Sequence, residues 1–205
     1  MKKSAMVMMA LLLAAPLFAQ DRPVHITVWA SQVDMQGENE FDGGFTTDFD
    51  DGKALGASAN MFMNRYLSVE ASVFGIRSDA ALAFEGTTLN LGKIDLVPVT
   101  LGAQLHPFGQ SRFDPYVGAG GAYVMADDLN SGDLDILGLG RIELENELTY
   151  YLNAGIGIQI GSGFGVVIDG RYIPYETSSR STATGVAQDL ELAPRMLSVG
   201  LRLKF

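Results

Sequence analysis

The end of the chain sets a pattern that recurs throughout it. Leu197, Val199, Leu201, Leu203 and Phe205 alternate with Ser198, Gly200, Arg202 and Lys204. This is the two-residue period of a strand with one apolar and one polar face. Within residues 66–75 the same period sets Leu67, Val69, Ala71 and Val73 against Ser68, Glu70 and Ser72. Within 95–106 it sets Val97, Val99, Leu101, Ala103 and Leu105 against Thr100, Gly102, Gln104 and His106, and within 151–159 Leu152, Ala154, Ile156 and Ile158 against Asn153, Gly155, Gly157 and Gln159. Weaker alternation over 23–33, 52–63, 115–126 and 164–175 brings the predicted strands to eight.

The links between these strands alternate in length. Those at 64–65, 108–114 and 161–163 are short, and those near 35–51, 77–94, 127–146 and 177–193 are long. Short turns on one side and long loops on the other are the habit of bacterial outer-membrane barrels, whose short turns face the periplasm. Proline should sit at strand ends, because it cannot donate to a sheet ladder. Pro23, Pro98, Pro107, Pro115, Pro174 and Pro194 are accordingly expected near strand boundaries.

The amino terminus reads as an export signal, with Lys2 and Lys3, an apolar stretch from Ala5 to Phe18 and a small residue, Ala19. Cleavage is expected after Ala19, giving a signal at 1–19 and one barrel domain at 20–205. No other apolar run reaches the roughly 18 residues a membrane helix needs. The chain is nonetheless 47% hydrophobic with 24 glycines, which suits an all-β fold whose apolar residues alternate instead of clustering. Without Lys2 and Lys3 the formal net charge of −10 becomes −12, and no basic stripe exists, which excludes nucleic acid as a partner. Cysteine is absent, so thiolate chemistry and disulfides are excluded, and no cofactor or metal set is expected.

A soluble eight-stranded barrel turns its apolar face inward, whereas a membrane barrel turns it toward lipid. Three features favour the membrane form. Polar or charged groups that could pair across a narrow lumen occur on nearly every strand (Glu70, Gln104, Asn153, Asp169, Arg171, Arg202). Aromatic residues gather toward strand ends (Tyr66, Tyr123, Tyr150, Phe164, Tyr172, Tyr175), as interfacial girdles require. The terminal Phe205, with apolar residues at every second position before it, resembles the signature read by the barrel-assembly machinery, an expected partner. The predicted fold is therefore an all-β, eight-stranded, antiparallel, up-and-down transmembrane β-barrel of the cell outer membrane, in contact with lipid and lipopolysaccharide. The first long link carries Glu38, Glu40, Asp42, Asp48, Asp50 and Asp51 and no basic residue between them. It reads as a solvated loop, or as a site where divalent cations bridge to anionic headgroups.

The stretch from Leu96-Val97-Pro98-Val99-Thr100-Leu101 through Pro107-Phe108 to Phe113-Asp114-Pro115-Tyr116-Val117-Gly118-Ala119-Gly120 resembles the signature of the OmpW family. Residues 151–160, Asp169-Gly170-Arg171-Tyr172 and the terminal Gly200-Leu201-Arg202-Leu203-Lys204-Phe205 extend the similarity over most of the chain. Members often carry an aromatic residue after the proline opening the last strand, where this chain has Arg195. The resemblance implies uptake of small hydrophobic compounds.

An eight-stranded barrel has room for side chains or one small ligand and not for a wide aqueous pore. Inward Gly56, Ser58, Gly102, Gly118, Gly120, Gly155 and Gly157 are expected to leave extra space. Sorted by height, Phe74, Val124, Tyr151 and Met196 fall toward the outside, Trp29 near the middle, and Glu70, Gln104, His106, Gln159, Asp169, Arg171 and Arg202 from mid-barrel downward, with Phe62 an exception. The expectation is an apolar funnel of Trp29, Phe74, Val124, Tyr151 and Met196 above a charged plug of Glu70, Asp169, Arg171 and Arg202. A solute entering it would have to leave sideways into lipid. The plug also reads as charges paired to satisfy a filled core. Two other classes compete. Lipid-modifying barrels use a His and Ser near the outer leaflet, but His25 and His106 map to the periplasmic half and neither has a serine two residues away, so no enzymatic activity is expected. A structural or adhesive barrel would instead act through its acidic loops, without transport.

Overall fold

The computed structural model describes residues 23–36, 39–41, 45–49, 51–84, 87–109, 111–126, 142–181 and 187–205. The export signal at 1–19, the acidic Glu38, Asp42 and Asp50, and the 127–141 stretch of the third long link lie outside the described residues.

Eight strands build one closed sheet: β1 (Val24–Gln36), β2 (Gly52–Phe62), β3 (Leu67–Phe84), β4 (Thr87–Leu105), β5 (Phe113–Ala126), β6 (Glu147–Gln159), β7 (Phe164–Tyr172) and β8 (Ala187–Lys204). Each pairs antiparallel with its sequence neighbour, and β1 pairs with β8, so the barrel has no free edge. The chain ends tie the seam, with Val24 N donating to Phe205 O at 3.3 Å and Phe205 N to Val24 O at 2.9 Å. Following the register from Val24 through Met61, Val69, Ala103, Ala119, Leu152, Tyr172 and Arg195 returns to β1 at Asp34, ten positions along from the start. Such a stagger goes with strands tilted by roughly 35–45° and a bore that side chains can fill.

The alternation decides which face looks where. On β8, Leu201 is 64% exposed and its neighbour Arg202 only 5%. Val28, Leu55, Leu101, Leu152 and Ile168 likewise face out, while Glu70, Asp169, Arg171 and Ser198 are buried inside. An outer wall of Leu, Val and Ile around a polar interior is stable only where hydrocarbon replaces water. No helix among the described residues is long and apolar enough to cross a membrane; the strands do so. At the short-turn end, Asn64 Oδ1 accepts from Tyr66 N at 2.8 Å and Leu67 N at 3.0 Å, pinning the β2–β3 turn. Gly109, at φ 65°, turns the chain between β4 and β5.

Two expectations are corrected. The links near 77–94 and 177–193 are largely strand: β3 and β4 run on to Phe84 and from Thr87, and Tyr175–Ser181 continues β7 alongside the first part of β8. Above the lipid band neither face meets hydrocarbon, so the apolar alternation that marks a strand fades although the pairing continues. Pro98 and Pro194 therefore lie well within strands, while Pro115 falls two residues from the start of its strand and Pro174 in the break between Tyr172 and Tyr175.

Replacing the lipid-facing Leu201 by Arg should cost about 2–4 kcal/mol of folding free energy in vesicles, the range for a cation near the bilayer midplane. Denaturant titration of vesicle-inserted protein measures it, and a cost near zero would contradict this orientation.

Candidate functional site in the barrel lumen

The lumen is built in two storeys that meet at Arg171. From β7 its guanidinium crosses the bore to Glu70 on β3, with Nη2 donating to Oε1 at 2.6 Å. Its Nη1 donates to Ser72 Oγ at 2.6 Å and Thr100 Oγ1 at 3.2 Å, and its Nε stands 3.6 Å from Asp169 Oδ1. Both side chains of the Arg171–Glu70 pair are essentially inaccessible. On its other sides the cation meets the rings of Phe74 and Tyr151, each centroid 4.9 Å from Cζ, so an ion otherwise costly to bury is enclosed by carboxylates, hydroxyls and π faces.

Below it a hydrogen-bonded ladder descends toward the short turns. Gln104 Nε2 donates to Glu70 Oε2 at 2.6 Å, and Asn60 Nδ2 donates to Gln104 Oε1 at 2.6 Å. Asn60 also reaches Ser68 Oγ at 3.4 Å, Ser68 Oγ pairs with His106 Nε2 at 3.0 Å, and His106 Nδ1 pairs with Asp114 Oδ1 at 2.8 Å. Arg202 Nη1 closes the series on Asp114 Oδ2 at 3.0 Å. A side branch joins Asp169 Oδ2 to Tyr116 Oη at 2.7 Å and Asn153 Nδ2 at 2.9 Å. Glu70, Asp169 and Arg171 thus form one cluster, while Arg202, expected beside them, pairs lower down with Asp114. Sequence reasoning set Ser68 on the polar face without giving it a partner and passed over Asp114, Tyr116 and Asn60 as lumen residues. These three sit on the polar side of the strand period and could have been found by extending it.

Ser68, His106 and Asp114 have the order and spacing of a hydrolytic triad. Access decides what they can do. Ser68 and His106 are 0% exposed, Ser68 Oγ also accepts from Asn60, and Asp114 is shared with Arg202. They serve as rungs of the ladder.

The upper storey is apolar. Trp29, Phe74, Val124, Tyr151 and Met196 are all buried in one cluster with Val33, Leu96 and Ile173 among others. The inward glycines do not leave the space expected of them, because side chains and backbone of neighbouring strands occupy it. A Cβ on Gly56 would strike the Phe74 ring, on Gly102 the Tyr151 hydroxyl, on Gly155 the Tyr116 ring and on Gly200 the Trp29 ring. The Trp29 indole also donates to Ser58 Oγ at 2.9 Å. Phe62 lies low in the barrel between the imidazoles of His25 and His106, at 4.6 and 4.8 Å.

At the height of Phe74 the wall itself is weakened. The β3–β4 pairing holds to Val73 opposite Val99 and resumes in the same register at Ile76 opposite Leu96. Between them no ladder joins Phe74 and Gly75 to Pro98 and Val97. Pro98 has no N–H to give and Gly75 no side chain to seal the gap.

A closed barrel with a lipid-facing apolar wall, short turns at one end and a charged interior defines a small outer-membrane β-barrel protein. Its likeness to solved barrels is extensive. OprG from Pseudomonas aeruginosa superposes with a TM-score of 0.73 at 18% identity, covering 90% of this chain and 96% of that one. AlkL, solved in lipid bilayers, gives 0.64 at 22% identity, covering 90% of each chain, and outer membrane protein W of E. coli gives 0.54 at 16%, covering 91% and 100%. No curated protein matches the sequence. The OmpW family model matches residues 16–205, and the chain belongs to that family. It resides in the outer membrane, with the short turns on the periplasmic side.

Replacing Arg171 by Met strands two buried carboxylates and should cost about 3–5 kcal/mol, whereas also replacing Glu70 and Asp169 by Leu should recover most of it. Equilibrium unfolding in vesicles reads both, and a single variant as stable as the parent would contradict the role given to Arg171.

Proposed function

We propose that this barrel carries small hydrophobic molecules from the outer surface into the membrane, through the apolar upper lumen and out through the wall between β3 and β4. The observation that carries this reading is the lapse in pairing at Gly75 and Pro98, level with Phe74 and directly above the charged ladder. A solute that displaces side chains such as Met196, whose unbranched chain repacks easily, meets Arg171 beneath it. Crossing the ladder would strip buried charges of their partners at several kcal/mol each. The wall at Pro98 offers the lower barrier, since Pro98 gives the ladder no N–H there and hydrocarbon lies outside. Family membership supports the same reading. The competing view, an adhesive or structural barrel, rests on acidic loop residues of which Glu38, Asp42 and Asp50 lie outside those described, and no observation in the lumen favours it.

A disulfide staple tests the exit. With no native cysteine, Gly75→Cys with Val97→Cys can be oxidised to bridge the lapse and reduced to release it. Entry of a small apolar fluorophore into vesicles carrying the protein should fall several-fold on oxidation and return on reduction. Entry that is equal in both states would overturn the lateral route.

A further inference from the structure

The lowest part of the lumen holds a feature that neither the ladder nor the transport reading uses. A small cavity opens at the periplasmic end, lined by His25, Ser111, Asp114, Gly157, Gln159, Gly165, Arg202 and Lys204, among others. His25 is only 3% exposed, yet neither of its ring nitrogens has a hydrogen-bond partner, and Arg202 Nε is likewise buried without one. An imidazole always presents at least one N–H, and a guanidinium or ammonium presents donors alone. Leaving such groups unmatched costs roughly 1–3 kcal/mol apiece. The cavity therefore asks for an occupant that accepts hydrogen bonds from several sides.

We propose that this cavity is a binding site for a single small anion of halide size. Charge separates an anion from a metal cation: Arg202 and Lys204 bring two positive groups against the one carboxylate of Asp114, whose oxygens are already taken by His106 and Arg202. Among the described residues no group of three or more potential metal ligands exists. Size separates a halide from a larger oxyanion: the cavity offers only about 10 Å³, roughly the room of one water-sized occupant and too little for a phosphate. The anion would sit between His25, Arg202 and Lys204 and complete the donor count of the barrel floor.

The test uses the full mature barrel in detergent micelles and, separately, its crystals. Chloride titrated against gluconate at constant ionic strength should shift the His25 ring nitrogens and the Gly157 and Gly165 amides saturably, and gluconate alone should not. Lys204→Gln removes one cation without touching the ladder and should weaken chloride binding about tenfold, the scale of one partly screened charge at contact distance. Crystals grown with bromide should give an anomalous peak inside the cavity. Titration without saturation, or an unchanged affinity in Lys204→Gln, would overturn the proposal. A bromide peak unaccompanied by the saturable shift would mark an adventitious ion only and would overturn it as well.

Discussion

A guanidinium held inside a membrane barrel is the constraint around which the rest of this lumen is arranged. Arg171 cannot be buried alone. Glu70 at 2.6 Å neutralises it, Ser72 and Thr100 accept from its Nη1, and Phe74 and Tyr151 cover its faces. These five partners come from β3, β4 and β6, so one side chain on β7 ties together strands from across the bore. Each partner then needs its own: Glu70 calls for Gln104, Gln104 for Asn60, and Asn60 for Ser68, until the series ends at Arg202 near the periplasmic rim. In a low-dielectric interior such a network is stable when its members are paired and costly when one is removed.

The same residue divides the lumen by chemistry. Above Arg171 lies the cluster that includes Trp29, Val124 and Met196, and below it lies the ladder. Several inward glycines serve this division, because they let a neighbouring ring approach the backbone, as Phe74 does at Gly56, Tyr116 at Gly155 and Trp29 at Gly200. A bore lined by bulky residues at every position would be overfilled, and one lined by glycine alone would be hollow. Pairing small residues with rings fills it. The weak point is then in the wall and not along the axis, where Pro98 interrupts the pairing of β3 with β4.

Much of this was legible in the sequence. The two-residue period gave all eight strands, their facing and the lumen location of Glu70, Asp169, Arg171 and Arg202, because lipid outside and pairing inside impose a strict alternation. What stayed hidden was cross-strand. Which carboxylate meets which arginine depends on the stagger around the barrel, so Arg202 was grouped with Glu70 when its partner is Asp114. The Ser68–His106 contact joins residues far apart in the chain through that same stagger. Pro98 was expected near a strand boundary because the alternation is legible only from about residue 95, whereas β4 begins at Thr87. Glycines were read as space because a sequence does not say whose ring will occupy it.

The central claim is that the charged ladder closes the barrel axis beneath an apolar upper lumen. Planar-bilayer recording of the purified barrel addresses it most directly. A closed axis gives at most small, brief current steps, far below those of a general porin. Large, steady, ion-selective currents of porin size would contradict the account.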